Sequence, residues 1–370
     1  MSLAVPVWLL VQEQLLGNGV PDCGSSTCFD DFNDEALFEL FHLTKPCVAF
    51  IADSIRLRIK TATTGREELS VDAQVMVALN YYAHGVFSGV VLDMAGLSNQ
   101  SERAYLIVDK LSGVIVGMSD QFMSFPETPE AKACVASKIK KISRIPNALG
   151  ILAAVHFKIV QSPQEKSSVS DANGTDYTSV VSQVTCDSEG NLLSVEKFRL
   201  SNGSTFKPET WELPSKEKEV EEGVKEPYRV IGTKGYQLSK YVLTPVTVPV
   251  TEGEIQYNKA HKMLDDIMQK TLSTLKRRFR CLLHLGYRQE TTLDRNTDII
   301  KACSVLHNIS QKFSVPPPNA AGEVELVGPS KQHSKELEVC PEAVKARQKV
   351  IYEFFSNVSM ETESTGDTDT

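Results

Sequence analysis

The sequence predicts an α/β domain that follows an all-α region, and three patterns support this prediction. Apolar residues recur at helical spacing in the first 125 positions, as at Leu37 and Leu40. Strand-like runs bounded by turn residues follow over 149–232. Helical patterns return over about 259–281 and 298–312. Strands that lie between helical blocks are typical of a sheet covered by helices.

The composition is that of a globular protein. Of 370 residues, 41% are hydrophobic and 23% are charged. The net charge of −8 excludes a uniformly basic nucleic-acid coat, although it leaves room for a local basic patch. No apolar run reaches the roughly 18 residues that span a bilayer, so no membrane partner is predicted. The eight scattered cysteines contain no CxxC pair and predict reduced, mostly buried thiols.

Changes in composition predict five consecutive segments. They are a helical region (1–60), an all-α helix-turn-helix-like domain (61–125), a basic connecting helix (126–148), an α/β domain (149–315), and a loop, terminal helix and acidic disordered tail (316–370). The first segment opens with a short amphipathic helix. The last helix is expected to begin at Pro341, because proline is favoured at the first helical position.

The second segment shows a helix, a short turn and another helix. Ser70 is expected to cap a helix that ends at Gly85. A short helix then ends at Gly96, and Ser98 is expected to cap a third helix that runs to about Val116. This order is typical of a helix-turn-helix, although any three-helix bundle produces the same pattern.

The α/β segment contains four strand-like runs. They cover 149–161, 178–186, 192–200 and 228–232. Residues 187–191 separate the second run from the third and are rich in turn formers, which predicts a hairpin. The charged segment 207–227 contains three prolines and is expected to be a loop or a poorly ordered helix.

Two basic clusters are candidate binding surfaces. The first contains Lys270, Lys276, Arg277, Arg278 and Arg280. Apolar residues recur through this run at helical spacing, which predicts one buried face with the cations outside it. The cluster is either a solvated helix face or a patch that contacts phosphates, a partner or an import receptor. The second cluster is the candidate import signal Lys138, Lys140, Lys141 and Arg144.

Common catalytic and metal-binding motifs are absent from the sequence. The seven histidines form neither HExxH nor a Cys/His finger, and no P-loop or nucleophile elbow occurs. His307 lies in an apolar helical pattern, which favours a core histidine over a metal ligand.

Segments across the chain nevertheless resemble the PIF/Harbinger-type DDE transposases and their domesticated derivatives. The most specific are 253–261, 269–282 and 302–309. Others are 146–159 for the first strand, 232–238 for the second motif and 71–116 for the helix-turn-helix. The resemblance covers roughly 28–312 and implies a ribonuclease-H-like fold.

The resemblance also implies a nuclease that uses a divalent metal, Mg²⁺ or Mn²⁺, held by two Asp and one Glu. The matching positions in this sequence are Ala153, Thr233 and Gln269, so all three carboxylates are replaced. We therefore predict no bound metal, no cofactor and a degenerate nuclease domain. Asp265 and Asp266 precede Gln269 by about one turn, but no acid replaces Ala153 on the first strand.

These observations predict a catalytically inactive derivative that acts as a protein- or DNA-binding adaptor in the nucleus, with the cytoplasm as a second expected location. The resemblance implies a Myb/SANT-like protein partner. Duplex DNA is expected to bind only weakly, because the net charge of 85–118 is −1. A metal-dependent DNA nuclease is the alternative, and a decaying gene copy without a selected function is a third reading. The oligomeric state is left open.

Overall fold

The computed structural model describes residues 29, 32–59, 69–159, 178–202, 227–233, 235–286, 292–318 and 340–356. Three predictions lie wholly or mostly outside these residues. They concern the N-terminal amphipathic helix, the charged segment 207–227 and the acidic tail.

Helices precede the first strand in the described part of the chain, as predicted. They are α1 (Asp34–Phe41), α2 (Lys45–Arg56), α3 (Val71–His84), α4 (Gly89–Met94), α5 (Ser101–Val116), α6 (Ser119–Phe122) and α7 (Pro129–Ser143). The apolar stripe that predicts α1 faces inward, since Leu37 and Leu40 are buried.

The predicted boundaries of α3 are confirmed. The Ser70 hydroxyl accepts a hydrogen bond from the amide of Ala73 at 3.1 Å, which satisfies a helix N-terminal donor. Gly85 ends the helix with φ of +78°. A Cβ atom at this position would lie 3.2 Å from Cα of Cys281, so the close approach also favours glycine.

The predicted start of α5 is wrong. Asn99 adopts a left-handed conformation with φ of +62°, so the helix begins at Ser101 and not at Asn99. The Ser98 hydroxyl donates to the Asp93 carboxylate at 2.5 Å and does not cap the helix.

The strands form one mixed sheet. They are β1 (Ala148–Ile159), β2 (Thr178–Cys186), β3 (Leu192–Asn202), β4 (Arg229–Gly232) and β5 (Val242–Leu243), in the order β3-β2-β1-β4-β5. Strand β4 pairs in parallel with β1 and β5, whereas β2 and β3 are antiparallel. This mixed sheet with its helices is consistent with the predicted ribonuclease-H-like α/β class.

The predicted hairpin between β2 and β3 is present, and an aspartate organises its turn. Asp187 Oδ1 accepts hydrogen bonds from the amides of Glu189 at 2.8 Å and Asn191 at 2.9 Å. Gly190 has φ of +85°, which glycine adopts without steric cost. The turn therefore follows from its residue types.

Three further helices follow the sheet. They are α8 (Glu252–Arg278), α9 (Leu293–Lys312) and α10 (Pro341–Phe355), with a 3₁₀ helix at Arg280–Leu283. Helix α8 begins seven residues before the predicted position because of a capping box. The Glu254 carboxylate accepts from the amide of Thr251 at 3.1 Å, and the Thr251 hydroxyl accepts from the amide of Glu254 at 3.3 Å.

Helix α9 bonds to the outer strand of the sheet. The Asn308 side chain accepts from the amide of Leu192 at 2.8 Å and donates to its carbonyl at 2.7 Å. It also donates to the Phe122 carbonyl at 2.7 Å. Further along β3, Lys197 has φ of +53° beside a register shift in the β2–β3 pairing. The outer edge of the sheet is thus irregular.

The chain divides into two compact units. The first unit contains Met1–Phe125, Ala153–Phe206 and Met268–Gln332. The second contains Pro126–Leu152, Lys207–Ile267 and His333–Thr370. The five consecutive segments predicted from the sequence divide the chain by composition and not by contacts, so they stay a prediction.

Six cysteines fall in the described residues, and none of these six forms a disulfide. Cys47, Cys186, Cys281 and Cys303 are buried, and Cys134 and Cys340 are exposed. No helix in the described ranges has the length and apolarity needed to cross a membrane.

Candidate functional site

The paired ends of β1 and β4 position two of the three candidate residues. Leu152 pairs with Gly232, and the amide of Thr233 donates to the Leu152 carbonyl at 2.9 Å. Ala153 directly follows Leu152 in the chain, as Thr233 follows Gly232. Ala153 is 3% exposed and Thr233 is 6% exposed.

The end of β4 is tightly packed inside the second unit. A Cβ atom on Gly232 would lie 2.7 Å from Val242 Cγ1 and 2.9 Å from Tyr236 Cβ. The Thr233 carbonyl accepts from the amide of Tyr236 at 3.3 Å, so the chain turns directly after the strand. Only glycine fits at position 232 without displacing these neighbours.

The third candidate, Gln269, is half-buried on α8 and belongs to the first unit, whereas Thr233 belongs to the second. The nearby acid Asp266 lies on the exposed surface of α8. Its carboxylate forms an ion pair with Lys262 one turn earlier. The ion pair with Lys262 therefore explains why an acidic residue stands at position 266 on the helix surface.

The side chains at the three positions do not fit a pair of divalent metals. Ala153 offers a methyl group, Thr233 a hydroxyl and Gln269 an amide. Mg²⁺ and Mn²⁺ in nuclease centres require carboxylate oxygens to replace their water. Within the described ranges, no group of three His, Cys, Asp or Glu side chains could hold a metal ion.

The basic run at the end of α8 differs from its prediction, because two of its cations are buried. Lys276 is 3% exposed, and its ammonium donates to the His156 carbonyl at 2.9 Å. The same ammonium lies 5.2 Å from the centre of the Phe157 ring. Burial lowers the pKa of Lys276 to about 8. Lys276 is therefore not available to phosphates, and the expectation of an outward position is wrong.

Arg278 is the second buried cation and is 0% exposed. Its guanidinium donates to the carbonyls of His42 at 2.6 Å, Val315 at 2.9 Å and Pro316 at 3.1 Å. The His42 ring donates through Nδ1 to the Arg278 carbonyl at 2.9 Å. Burial lowers the pKa of Arg278 to about 10, so the group stays charged at neutral pH. Arg278 is thus a structural clamp inside the first unit.

The other cations of the run reach the surface. Lys270 and Arg280 are exposed. Arg277 is half-buried, and its Nε donates to the Ser273 carbonyl at 3.3 Å. The surface available for binding on this part of α8 is therefore smaller than the sequence suggests.

The buried histidines form hydrogen bonds within the core. His307 donates through Nε2 to the Gly190 carbonyl at 3.1 Å, which confirms the predicted core histidine. The His156 ring and the Ser179 hydroxyl share a hydrogen bond of 3.1 Å. Burial lowers the pKa values of His42, His156 and His307 to about 4. These rings are neutral at pH 7.

The second basic cluster is on the surface, as its candidate role requires. Lys138, Lys140, Lys141 and Arg144 are exposed on α7 and at its C-cap. The Lys140 ammonium lies 5.3 Å from the centre of the Phe354 ring, and Arg144 lies 5.7 Å from that of Phe355. These contacts join α7 to α10 inside the second unit.

Helices α3, α4 and α5 occupy the predicted helix-turn-helix segment. The hydroxyls of Tyr82 and Ser112 share a buried hydrogen bond of 2.7 Å between α3 and α5. Arg103 and Lys110 are on the exposed side of α5. The DNA-binding role of these helices stays a prediction.

Comparison with known proteins agrees with this architecture. Residues 152–308 match the model of a DDE superfamily endonuclease family. The chain is 25% identical over 363 residues to the Homo sapiens protein named "Putative nuclease HARBI1", covering 96% of this chain and 100% of that protein. The Mus musculus protein of the same name is 26% identical over 360 residues, with the same coverage of each chain. No solved structure matches the chain significantly.

A plant relative extends the comparison. The Arabidopsis thaliana protein named "Protein ALP1-like" is 25% identical over 255 residues, covering 65% of this chain and 61% of that protein. The sheet and the matched segment define the class, which is a chain with a DDE endonuclease-like α/β domain. The HARBI1 relatives align with nearly the whole length of the chain, so the chain is similar to Harbinger-derived, DDE transposase-like proteins.

Proposed function

We propose that this chain is a catalytically inactive, domesticated Harbinger derivative that acts as an adaptor in the nucleus. One observation carries the loss of catalysis. The residues that directly follow the paired positions Leu152 and Gly232 are Ala153 and Thr233, and neither has a carboxylate. A nuclease that uses two metals depends on acidic ligands at such strand ends.

Burial supports the same proposal. Both Ala153 and Thr233 are almost fully buried, whereas the metal ions of a nuclease must be accessible to the DNA backbone. Gln269, at the third position of the resemblance, is neutral as well. The nearest acid on α8 that could compensate, Asp266, is paired with Lys262 on the helix surface. The chain keeps its sheet, its turn and its helix caps without acidic groups at these positions.

The adaptor role follows because a scaffold without catalytic groups still presents surfaces that can bind a partner. The proposed partners are a Myb/SANT-like protein and, more weakly, duplex DNA, and the proposed location is the nucleus. The competing function is metal-dependent DNA cleavage, and the name "Putative nuclease HARBI1" of the relatives favours a nuclease.

A cleavage assay separates the two functions. The full chain is incubated with supercoiled plasmid and millimolar Mg²⁺ or Mn²⁺, beside a chelator control and an Asp266→Asn variant prepared identically. We expect equal, background nicking in all samples. Metal-dependent nicking that disappears in Asp266→Asn, or in a Thr233→Ala variant, would establish the nuclease and overturn the proposal.

The adaptor role is tested in cells and then with purified components. A tagged chain is expected in the nuclear fraction and is expected to co-purify with a protein that carries a Myb/SANT-like domain. The complex is then rebuilt from the two purified chains. A chain confined to the cytoplasm, or one that does not bind the purified candidate, would contradict the adaptor role.

A further inference from the structure

The most concentrated positive charge on the described surface lies on α7. Residues 129–144 contain five cations and one carboxylate, giving +4 within a chain of net charge −8. Four of these cations, at positions 138, 140, 141 and 144, are exposed. Ile139 and Ser143 are buried and fix the opposite side of the helix. The cations are therefore held toward solvent by the packing of α7.

Local contacts hold this surface in its helical conformation. The Ser143 hydroxyl donates to the Ile139 carbonyl at 2.9 Å and accepts from the amide of Ile145 at 3.2 Å. Lys140 and Arg144 rest on the rings of Phe354 and Phe355. A linear import signal is read as an extended segment, so these residues would have to leave both the helix and α10 to serve as one.

The local structure does not account for all of this charge. A helix C-terminus attracts cations, but the effect is confined to the last turn and is screened by salt. Lys141 and Arg144 form no ion pair with a carboxylate of the described residues. Like charges this close repel one another, so a polyanion that binds them gains more than the sum of isolated contacts.

We propose that the α7 surface, formed by Lys138, Lys140, Lys141 and Arg144, binds the phosphate backbone of duplex DNA without reading its sequence. The segment spans about 9 Å of helix, which suits neighbouring phosphates of one strand. Three of the four cations are lysines, which act as flexible point charges, and the guanidinium of Arg144 lies over the Phe355 ring, so base specificity is not expected. The proposal deepens the adaptor function and rests on its DNA-binding part.

The test compares three variants of the full chain that each lose three charges. They are K138Q/K140Q/K141Q on α7, R199Q/K259Q/K262Q at other exposed cations, and K270Q/R277Q/R280Q at the end of α8. Binding to a fluorescent duplex of random sequence is followed by anisotropy between 50 and 200 mM salt. Circular dichroism confirms that each variant is folded.

Each phosphate contact contributes a slope of about −0.9 to the dependence of log K on log salt. Loss of three contacts flattens the slope by about 2.7. Over this fourfold salt range, the factor by which affinity decreases is then about 40 times larger for the parent than for the α7 variant. The variant at scattered exposed cations is expected to keep the parental slope.

Four results would overturn the proposal. They are a parent without salt-dependent duplex binding, an unchanged slope in the α7 variant, equal flattening in the scattered variant, and flattening confined to the α8 variant. Nuclear exclusion of the α7 variant with an unchanged slope would identify an import signal instead. The plasmid cleavage assay is independent of these slopes. If the α7 surface does not bind DNA, the proposed loss of catalysis still holds. If the plasmid is cleaved, the proposed inactive adaptor is refuted even when the salt slopes agree with the α7 proposal.

Discussion

Replacing Arg278 is expected to destabilise the first unit strongly, although the sequence presents it as one cation in a basic run. The guanidinium serves three carbonyls that come from distant parts of the chain, those of His42, Val315 and Pro316. In Arg278→Ala these acceptors lose a charged donor, and each unsatisfied carbonyl costs roughly 1–3 kcal/mol. The large buried side chain also leaves a cavity. With partial relaxation, we expect a loss of about 3–5 kcal/mol.

The assay is urea unfolding followed by far-UV circular dichroism, with two comparison variants. Arg278→Lys keeps the charge but not the fork of donors, so about half of the loss is expected. Arg280→Ala removes an exposed arginine two positions away and is expected to change the stability by less than about 0.5 kcal/mol. Equal, small effects at 278 and 280 would show that the clamp does not stabilise the unit and would refute the reasoning.

Two further predictions follow from buried groups. The pKa of His307 is about 4 in the folded chain and about 6.5 when unfolded, so the unfolded state binds the extra proton as pH falls between these values. We therefore expect His307 to lower the free energy of unfolding by about 2 kcal/mol between pH 7 and pH 5. This contribution should be absent in His307→Asn and should remain when the exposed His284 is replaced. Gly232→Ala places a methyl group against Val242 and Tyr236 and should cost about 1–3 kcal/mol in urea unfolding. Gly113→Ala, on an open helix face, should be neutral or stabilising, and a reversed order would contradict the described packing at β4.

Local chemistry made much of the fold predictable. Strand β2 has the predicted bounds because its β-branched run stops at Asp187, whose side chain closes the turn. Helix α10 begins at Pro341 as predicted, because proline is favoured at the first helical position. The missed start of α8 had a signal too, since Thr251 and Glu254 form a capping-box pattern that is visible in the sequence.

The error at Lys276 and Arg278 has a different cause. Lys276 lies four residues after Leu272, and Arg278 lies three after Leu275, so both share the side of the helix that those leucines bury. Spacing could have identified them. Their acceptors could not have been identified, because they are main-chain carbonyls up to 236 residues away. The same limit applies to the site, where the order of strands β1 and β4 is a tertiary property.

The side chain of Asn308 has a consequence for self-association. Its amide bonds to Leu192 in the way that a neighbouring strand would, so the first residue of the outer strand has no vacant hydrogen-bonding position. The left-handed backbone at Lys197 interrupts the same edge further on. Loss of the Asn308 contact would expose the edge of β3 at Leu192 while the hairpin stays paired. Aggregation on heating would then begin as strand pairing between copies at this edge.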